Sequence, residues 1–140
     1  MRVLVIHGPN LNLLGERKPD VYGTQTLAEV DARIAQVASE LKLDLRSVQH
    51  NSEAAIVDEL HAARGAYDVV IINPGAFTHY AYAIADAIEA IGIPVIEVHL
   101  SNIFARESFR RVSVVSAVCA GTISGFGVHS YLLALHAAAR

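Results

Sequence analysis

The sequence predicts one α/β domain over residues 1–140, a three-layer sandwich with helices on both faces of a five-stranded parallel sheet. Three observations predict it. Short, continuous apolar runs rich in Val and Ile recur along the chain, as strands buried on both faces require. Segments with helical apolar spacing stand between them. Gly, Pro, Asn and capping residues punctuate the joins.

Val3 to Ile6 reads as the first strand, ending at His7-Gly8-Pro9. A polar, 15-residue loop from Asn10 to Thr24 follows. Loops of that length in a compact domain are usually functional or disordered. Leu27, Val30, Ile34, Val37, Ala38 and Leu41 then follow helical spacing behind Thr26, which forms a capping box with Glu29. Leu43 to Val48 is the second strand. Ser52 caps a helix with Ile56, Val57, Leu60 and Ala63 on its inner face.

Val69 to Ile72 is the third strand and stops at Asn73-Pro74-Gly75. Thr78 is expected to open a helix through Ile91, closed by Gly92 before Ile93-Pro94. Val95 to Val98 is the fourth strand, and a short helical turn is expected from Phe104 to Arg110. Val112 to Val118 and Ala120 to Ser124 both qualify as the fifth strand. Tyr131 to Ala139 closes the chain as a helix.

Alternating strands and helices imply right-handed crossovers and a sheet covered on both sides. At this size the flavodoxin-like strand order 2-1-3-4-5 is expected, with ligands beyond the carboxyl ends of the strands at the switch point. The ends of strands one, three and four carry His7, Asn73 and His99, and the long loop leaves from that same edge.

Composition narrows the function. Apolar residues make up 53% of the chain, which argues against disorder and suggests self-association. Net charge is −3 with no basic stretch, so no nucleic-acid partner is expected. No apolar run is long enough to span a membrane, and the opening run is too short for a signal peptide. A single cysteine, Cys119, excludes a disulfide framework and a Cys-based zinc site. The expectation is a cytoplasmic protein.

Several stretches carry chemistry. The first loop reads Gly8-Pro9-Asn10-Leu11-Asn12-Leu13-Leu14-Gly15-Glu16-Arg17-Lys18-Pro19-Asp20-Val21-Tyr22-Gly23. Asn73-Pro74-Gly75-Ala76-Phe77-Thr78-His79 follows strand three, and Glu97-Val98-His99-Leu100-Ser101-Asn102 ends strand four. Ala105-Arg106-Glu107, Phe109-Arg110-Arg111, and Gly125-Phe126-Gly127 with Tyr131-Leu132-Leu133-Ala134-Leu135 complete the set. Together, in this order and across nearly the whole chain, they resemble the type II 3-dehydroquinate dehydratases. Two stretches depart from that pattern. Tyr80-Ala81-Tyr82-Ala83-Ile84-Ala85 precedes the retained Asp86, on a face the family uses between subunits, and Ser130 stands where the family has Gly.

The resemblance implies dehydration of 3-dehydroquinate to 3-dehydroshikimate by anti elimination, the reaction of the shikimate pathway. A proton leaves beside a ketone, an enolate forms, and a neighbouring hydroxyl departs as water, with no metal, cofactor or Schiff base. Such chemistry needs a base, an enolate stabiliser and an acid. The resemblance makes Tyr22 the base and Arg17, five residues earlier, its activating cation. It gives Asn10 the enolate oxygen. His99 is the acid, and Glu97, two residues earlier on the same side of a strand, orients it. A metal site at that His–Glu pair is disfavoured for want of a third ligand with suitable spacing.

Asn73 and His79 are expected to bind substrate hydroxyls. Leu100 and Ser101 offer backbone N–H groups and a hydroxyl to the substrate carboxylate. Arg106 and Arg110, four apart on the expected helical turn, share a face suited to an anion. Arg110 is assigned to substrate and Arg106 to support. Asp86 matches a carboxylate that reaches the site from a neighbouring subunit, in a homododecamer built as a tetramer of trimers.

Neither lysine, Lys18 nor Lys42, lies in an apolar context, which disfavours Schiff-base chemistry. A flavin-binding module would need a phosphate loop after strand one, and a receiver domain an acidic cluster. The chain has neither.

Overall fold

A computed structural model describes residues 1–140. Five parallel strands form one sheet in the order β2-β1-β3-β4-β5: β1 (Arg2–His7), β2 (Asp44–Gln49), β3 (Val69–Asn73), β4 (Val95–His99) and β5 (Gly121–Ser124). The helices are α1 (Pro19–Tyr22), α2 (Leu27–Glu40), α3 (Glu53–Ala63), α4 (Tyr82–Ile91) and α5 (His129–Ala138). This is the flavodoxin-like order expected from the sequence.

Strand alternation divides the core in two. Val3, Val5, Val69, Ile71, Ile96 and Val98 pack with α2 and α5. Leu4, Ile6, Val70, Ile72 and Val95 pack with α3 and α4. The three central strands are buried almost throughout, which explains why their sequences read as unbroken apolar runs. Truncating one of these isoleucines to Ala would cost about 2–5 kcal/mol.

Register fixes the functional edge. His7 of β1 pairs with Asn73 of β3, and His99 of β4 with Ser124 of β5. Gly8 continues β1 into the turn, where its N–H donates to the Asn73 carbonyl at 2.7 Å. A Cβ there would meet that same oxygen at 2.7 Å, so only glycine allows the two turns to approach.

The caps follow their sequence signals with one change. Ser52 accepts the Ala55 N–H, and Thr26 accepts the Glu29 N–H. Glu29 does not return to the Thr26 N–H; it accepts the Thr26 hydroxyl instead, leaving half of the expected box. Gly92 ends α4 in the left-handed conformation, φ 70°.

Further expectations are corrected or resolved. The helix expected from Thr78 to Ile91 is a 3-10 turn (Gly75–His79) followed by α4 from Tyr82. The Thr78 hydroxyl bonds to Glu97 and does not cap a helix. The long loop holds a 3-10 turn (Leu11–Leu13) and α1, in which Pro19 takes the first helical position. The turn expected from Phe104 to Arg110 is two 3-10 turns, Ile103–Ala105 and Ser108–Arg111, parted by extended backbone at Arg106. The fifth strand is the later of the two alternatives, and Val112–Val118 is a loop ending in a 3-10 turn.

Candidate active site

A cleft opens beyond the carboxyl ends of β1, β3 and β4. Asn10, Arg17, Tyr22, Asn73, His79, His99, Leu100, Ser101, Arg106 and Arg110 all line it. Ten residues singled out from sequence therefore meet in one place. Glu97 lies beneath the floor, fully buried. Asp86 does not reach this cleft; it is exposed on α4.

The first loop contributes Asn10, Arg17 and Tyr22. Asn10 adopts a left-handed backbone, φ 68°, which Asn tolerates better than most residues. Its N–H donates to Asn51 Oδ1 at 3.0 Å, and Gln49 Nε2 donates to that same oxygen at 3.1 Å. The end of β2 thus anchors the turn. Tyr22 closes α1. The Arg17 guanidinium lies 4.8 Å from the centre of its ring, and Arg106 lies 5.0 Å from it. Both guanidiniums stand over the ring within cation–π range. Arg106 also donates to Ser101 Oγ at 3.3 Å. It thus touches both Tyr22 and Ser101.

Arg106 and Arg110 both face the cleft, but not as i, i+4 neighbours on a helix. Separate 3-10 turns bring them there. Glu107 holds the Arg110 guanidinium through its Nε.

At the floor, His99 Nε2 lies 2.6 Å from Glu97 Oε2. Strand periodicity places both on the same side of β4. Glu97 is surrounded by donors: Thr78 at 2.8 Å, Ser113 at 3.1 Å to either oxygen, and Ser116. Burial alone would push the Glu97 carboxyl up. Hydrogen bonds from His99, Ser116 and Thr78, with the attraction of His99, outweigh it and hold the group below its ordinary range. The carboxylate accepts Nε2–H, so Nδ1 is the nitrogen without a protein partner. In that arrangement His99 can donate from Nδ1 only when both ring nitrogens carry hydrogen.

His79 Nδ1 donates to the Val112 carbonyl at 2.7 Å, leaving Nε2 as an acceptor. Burial depresses its pKa against the opposing Val112 hydrogen bond, and the charges of His99 and Arg110 lower it further. Asn73 accepts the Gly75 N–H through Oδ1 at 3.1 Å and donates from Nδ2 to the Tyr131 hydroxyl at 3.0 Å.

Sequence reasoning missed Thr78, Ser113 and Ser116 as partners of Glu97. A signal existed. An acid in the middle of an apolar strand needs donors when buried, and Ser113 and Ser116 stand three apart just before β5. Ser130, at a position where Gly was expected, is buried and accepts the Phe126 N–H at 3.1 Å, closing the turn into α5. Nowhere do three His, Cys, Asp or Glu side chains group as a metal ion would need. No helix is long and apolar enough to cross a membrane.

Fold and site together define a flavodoxin-like α/β enzyme domain whose cationic cleft lies at the switch point of the sheet. The family model for class II dehydroquinases matches residues 1–139, and the chain belongs to that family. A 3-dehydroquinate dehydratase from Desulforudis audaxviator is 59% identical over 138 residues, covering 99% of this chain and 92% of the relative. The type II dehydroquinase of Butyrivibrio crossotus superimposes with a TM-score of 0.98 at 40% identity, covering 100% of this chain and 98% of that one. The enzyme from Propionibacterium acnes gives 0.95 at 47% identity, covering 99% and 95%.

Proposed function

We propose that this chain dehydrates 3-dehydroquinate to 3-dehydroshikimate by anti elimination through an enolate. One observation carries the reading: a phenol flanked by two guanidiniums and an imidazole backed by a buried carboxylate share one cleft. The names of the relatives support the same substrate.

The phenolate of Tyr22 takes the proton from the carbon beside the ketone. The electron pair moves onto the carbonyl oxygen, and Asn10, directly or through water, stabilises the enolate. Collapse of the enolate forms the conjugated double bond and breaks the bond to the neighbouring hydroxyl. His99 gives that oxygen its proton, and water leaves. Glu97 stabilises the imidazolium before this transfer and orients the ring throughout.

Arg110, Ser101 and the Leu100 backbone hold the substrate carboxylate. Asn73 and His79 hold the ring hydroxyls. Arg17 and Arg106 stay with Tyr22. No step needs a metal or a Schiff base, and Lys18 and Lys42 are exposed outside the cleft.

Assembly extends the reading. Tyr80, Tyr82, Phe104, Phe109, Val112 and Phe126 are exposed large apolar side chains. A homododecamer, a tetramer of trimers, would cover such surface and bring Asp86 of a second copy toward the cleft. Light scattering tests the assembly.

The activity is tested by following the absorbance of the conjugated product from purified protein and 3-dehydroquinate, with chelator and with borohydride. Product formation indifferent to both supports the mechanism. Inactivation by borohydride with substrate would replace it with a Schiff-base route, and no product from folded protein would overturn the assignment.

A further inference from the structure

A buried polar chain runs from Asn73 away from the cleft, on the α2–α5 side of the sheet, and beyond Asn73 the dehydration steps do not use it. Asn73 Nδ2 lies 3.0 Å from the Tyr131 hydroxyl, Tyr131 lies 2.8 Å from His7 Nδ1, and His7 Nε2 lies 2.7 Å from Asp31 Oδ1. His7 and Tyr131 are almost wholly buried, their rings edge to face at 5.1 Å. Asp31 is half-buried on α2 and takes no part in the cleft lining.

Donor and acceptor chemistry sets the direction of this chain. The Gly75 N–H can only donate, so the Asn73 atom facing it is Oδ1. Nδ2 therefore faces Tyr131 and donates to it. The Tyr131 oxygen accepts that bond, and its own hydrogen goes to His7 Nδ1. Nε2 then carries the imidazole hydrogen and donates it to the Asp31 carboxylate. Every member is satisfied in this arrangement, and reversing one bond leaves a buried hydrogen without an acceptor. Burial pushes the Tyr131 phenol up, against a smaller opposing effect of the Asn73 hydrogen bond, so its hydroxyl keeps the hydrogen it donates.

We propose that Asp31, His7 and Tyr131 are positioning residues that lock the Asn73 amide, so that its second Nδ2 hydrogen is presented to the cleft as a donor. The inference rests on Asn73 binding a substrate hydroxyl. It adds a polarity to that recognition. The hydroxyl at Asn73 must accept, whereas the hydroxyl at His79 Nε2 must donate. A substrate with adjacent hydroxyls can satisfy both at once, and an analogue with a keto group facing His79 cannot.

The test is a mutant cycle read by KM against kcat. Asp31→Ala removes the terminal acceptor at a half-exposed site, and KM is expected to rise about five-fold with kcat changed less than two-fold. Asp31→Asn keeps an acceptor oxygen and should restore KM. In an Asn73→Ala background, Asp31→Ala should have no further effect, because the group it positions is gone. Tyr131→Phe should match Asp31→Ala if it folds. An unchanged KM in Asp31→Ala, or the same rise in the Asn73→Ala background, would overturn the relay. If Asn73→Ala itself leaves KM unchanged, both the relay and the role of Asn73 fail. A substrate-free readout separates the relay from the dehydration reading. The Asn73 side-chain amide resonances, identified by their loss in Asn73→Ala, should shift in Asp31→Ala, and unchanged resonances would overturn the relay whatever the enzyme's activity.

Discussion

Glu97 and His99 form a buried pair, Oε2 to Nε2 at 2.6 Å, under the floor of the cleft. The pair takes up Nε2 of His99 and leaves Nδ1 as the ring nitrogen without a protein partner. Replacing Glu97 with Gln keeps the volume and removes the charge. A fall in kcat of about 10²–10³-fold is expected, within the range general acids supply. Thr78, Ser113 and Ser116 then lose an anionic acceptor, so stability should fall by about 1–3 kcal/mol. Steady-state kinetics and chemical denaturation measure the two effects separately.

Arg106 approaches Tyr22 as closely as Arg17 does, at 5.0 Å and 4.8 Å from the ring centre. Arg106→Ala is therefore expected to lower kcat about ten-fold or more, in addition to any effect on KM. An effect confined to KM would assign Arg106 to substrate binding alone. The comparison with Arg110→Ala, whose guanidinium does not lie over Tyr22, provides the contrast.

Acidification should destabilise the fold in two stages. The His79 pKa is depressed below its ordinary 6.5, so the unfolded chain takes up that proton first as pH falls through 6.5. The Glu97 pKa is depressed below 4.5, so its contribution is full above 4.5 and is lost as pH falls through its native value. Tm measured from pH 7.5 to 3.5 should decline across both windows. In His79→Gln the upper decline should weaken while the lower one remains.

Cys119 is half-buried, and burial, helped by the Glu97 charge, pushes its thiol up to about 12. The thiolate is the reactive form, so a disulfide reagent at pH 8 should modify the native protein far more slowly than the denatured protein. Fast modification of the native thiol would contradict this environment.

Much of the fold was legible because it depends on short-range periodicity. Val3–Ile6, Val69–Ile72 and Val95–Val98 are apolar on both faces, and only central parallel strands require that. The same alternation placed Glu97 beside His99. Where local and tertiary demands compete, sequence reasoning failed. Thr78 reads as a helix cap, yet its hydroxyl serves Glu97, 19 residues away. Arg106 and Arg110 carry helical spacing, yet extended backbone parts them. His7 ends β1, as the sequence suggests, and its side chain follows Val3 and Val5 to the α2–α5 side, where Asp31 and Tyr131 hold it. Those partners lie 24 and 124 residues away, beyond any periodic signal.

The division of labour between Tyr22 and His99 is tested most directly by exchange in deuterated water, with 3-dehydroquinate followed by proton NMR in Tyr22→Phe and His99→Ala. Tyr22→Phe should bind substrate yet neither exchange the proton beside the ketone nor dehydrate. His99→Ala should exchange that proton with little dehydration, because the enolate forms and then lacks an acid for the leaving hydroxyl. Exchange at the unaltered enzyme's rate in Tyr22→Phe would contradict Tyr22 as the base and the mechanism built on it.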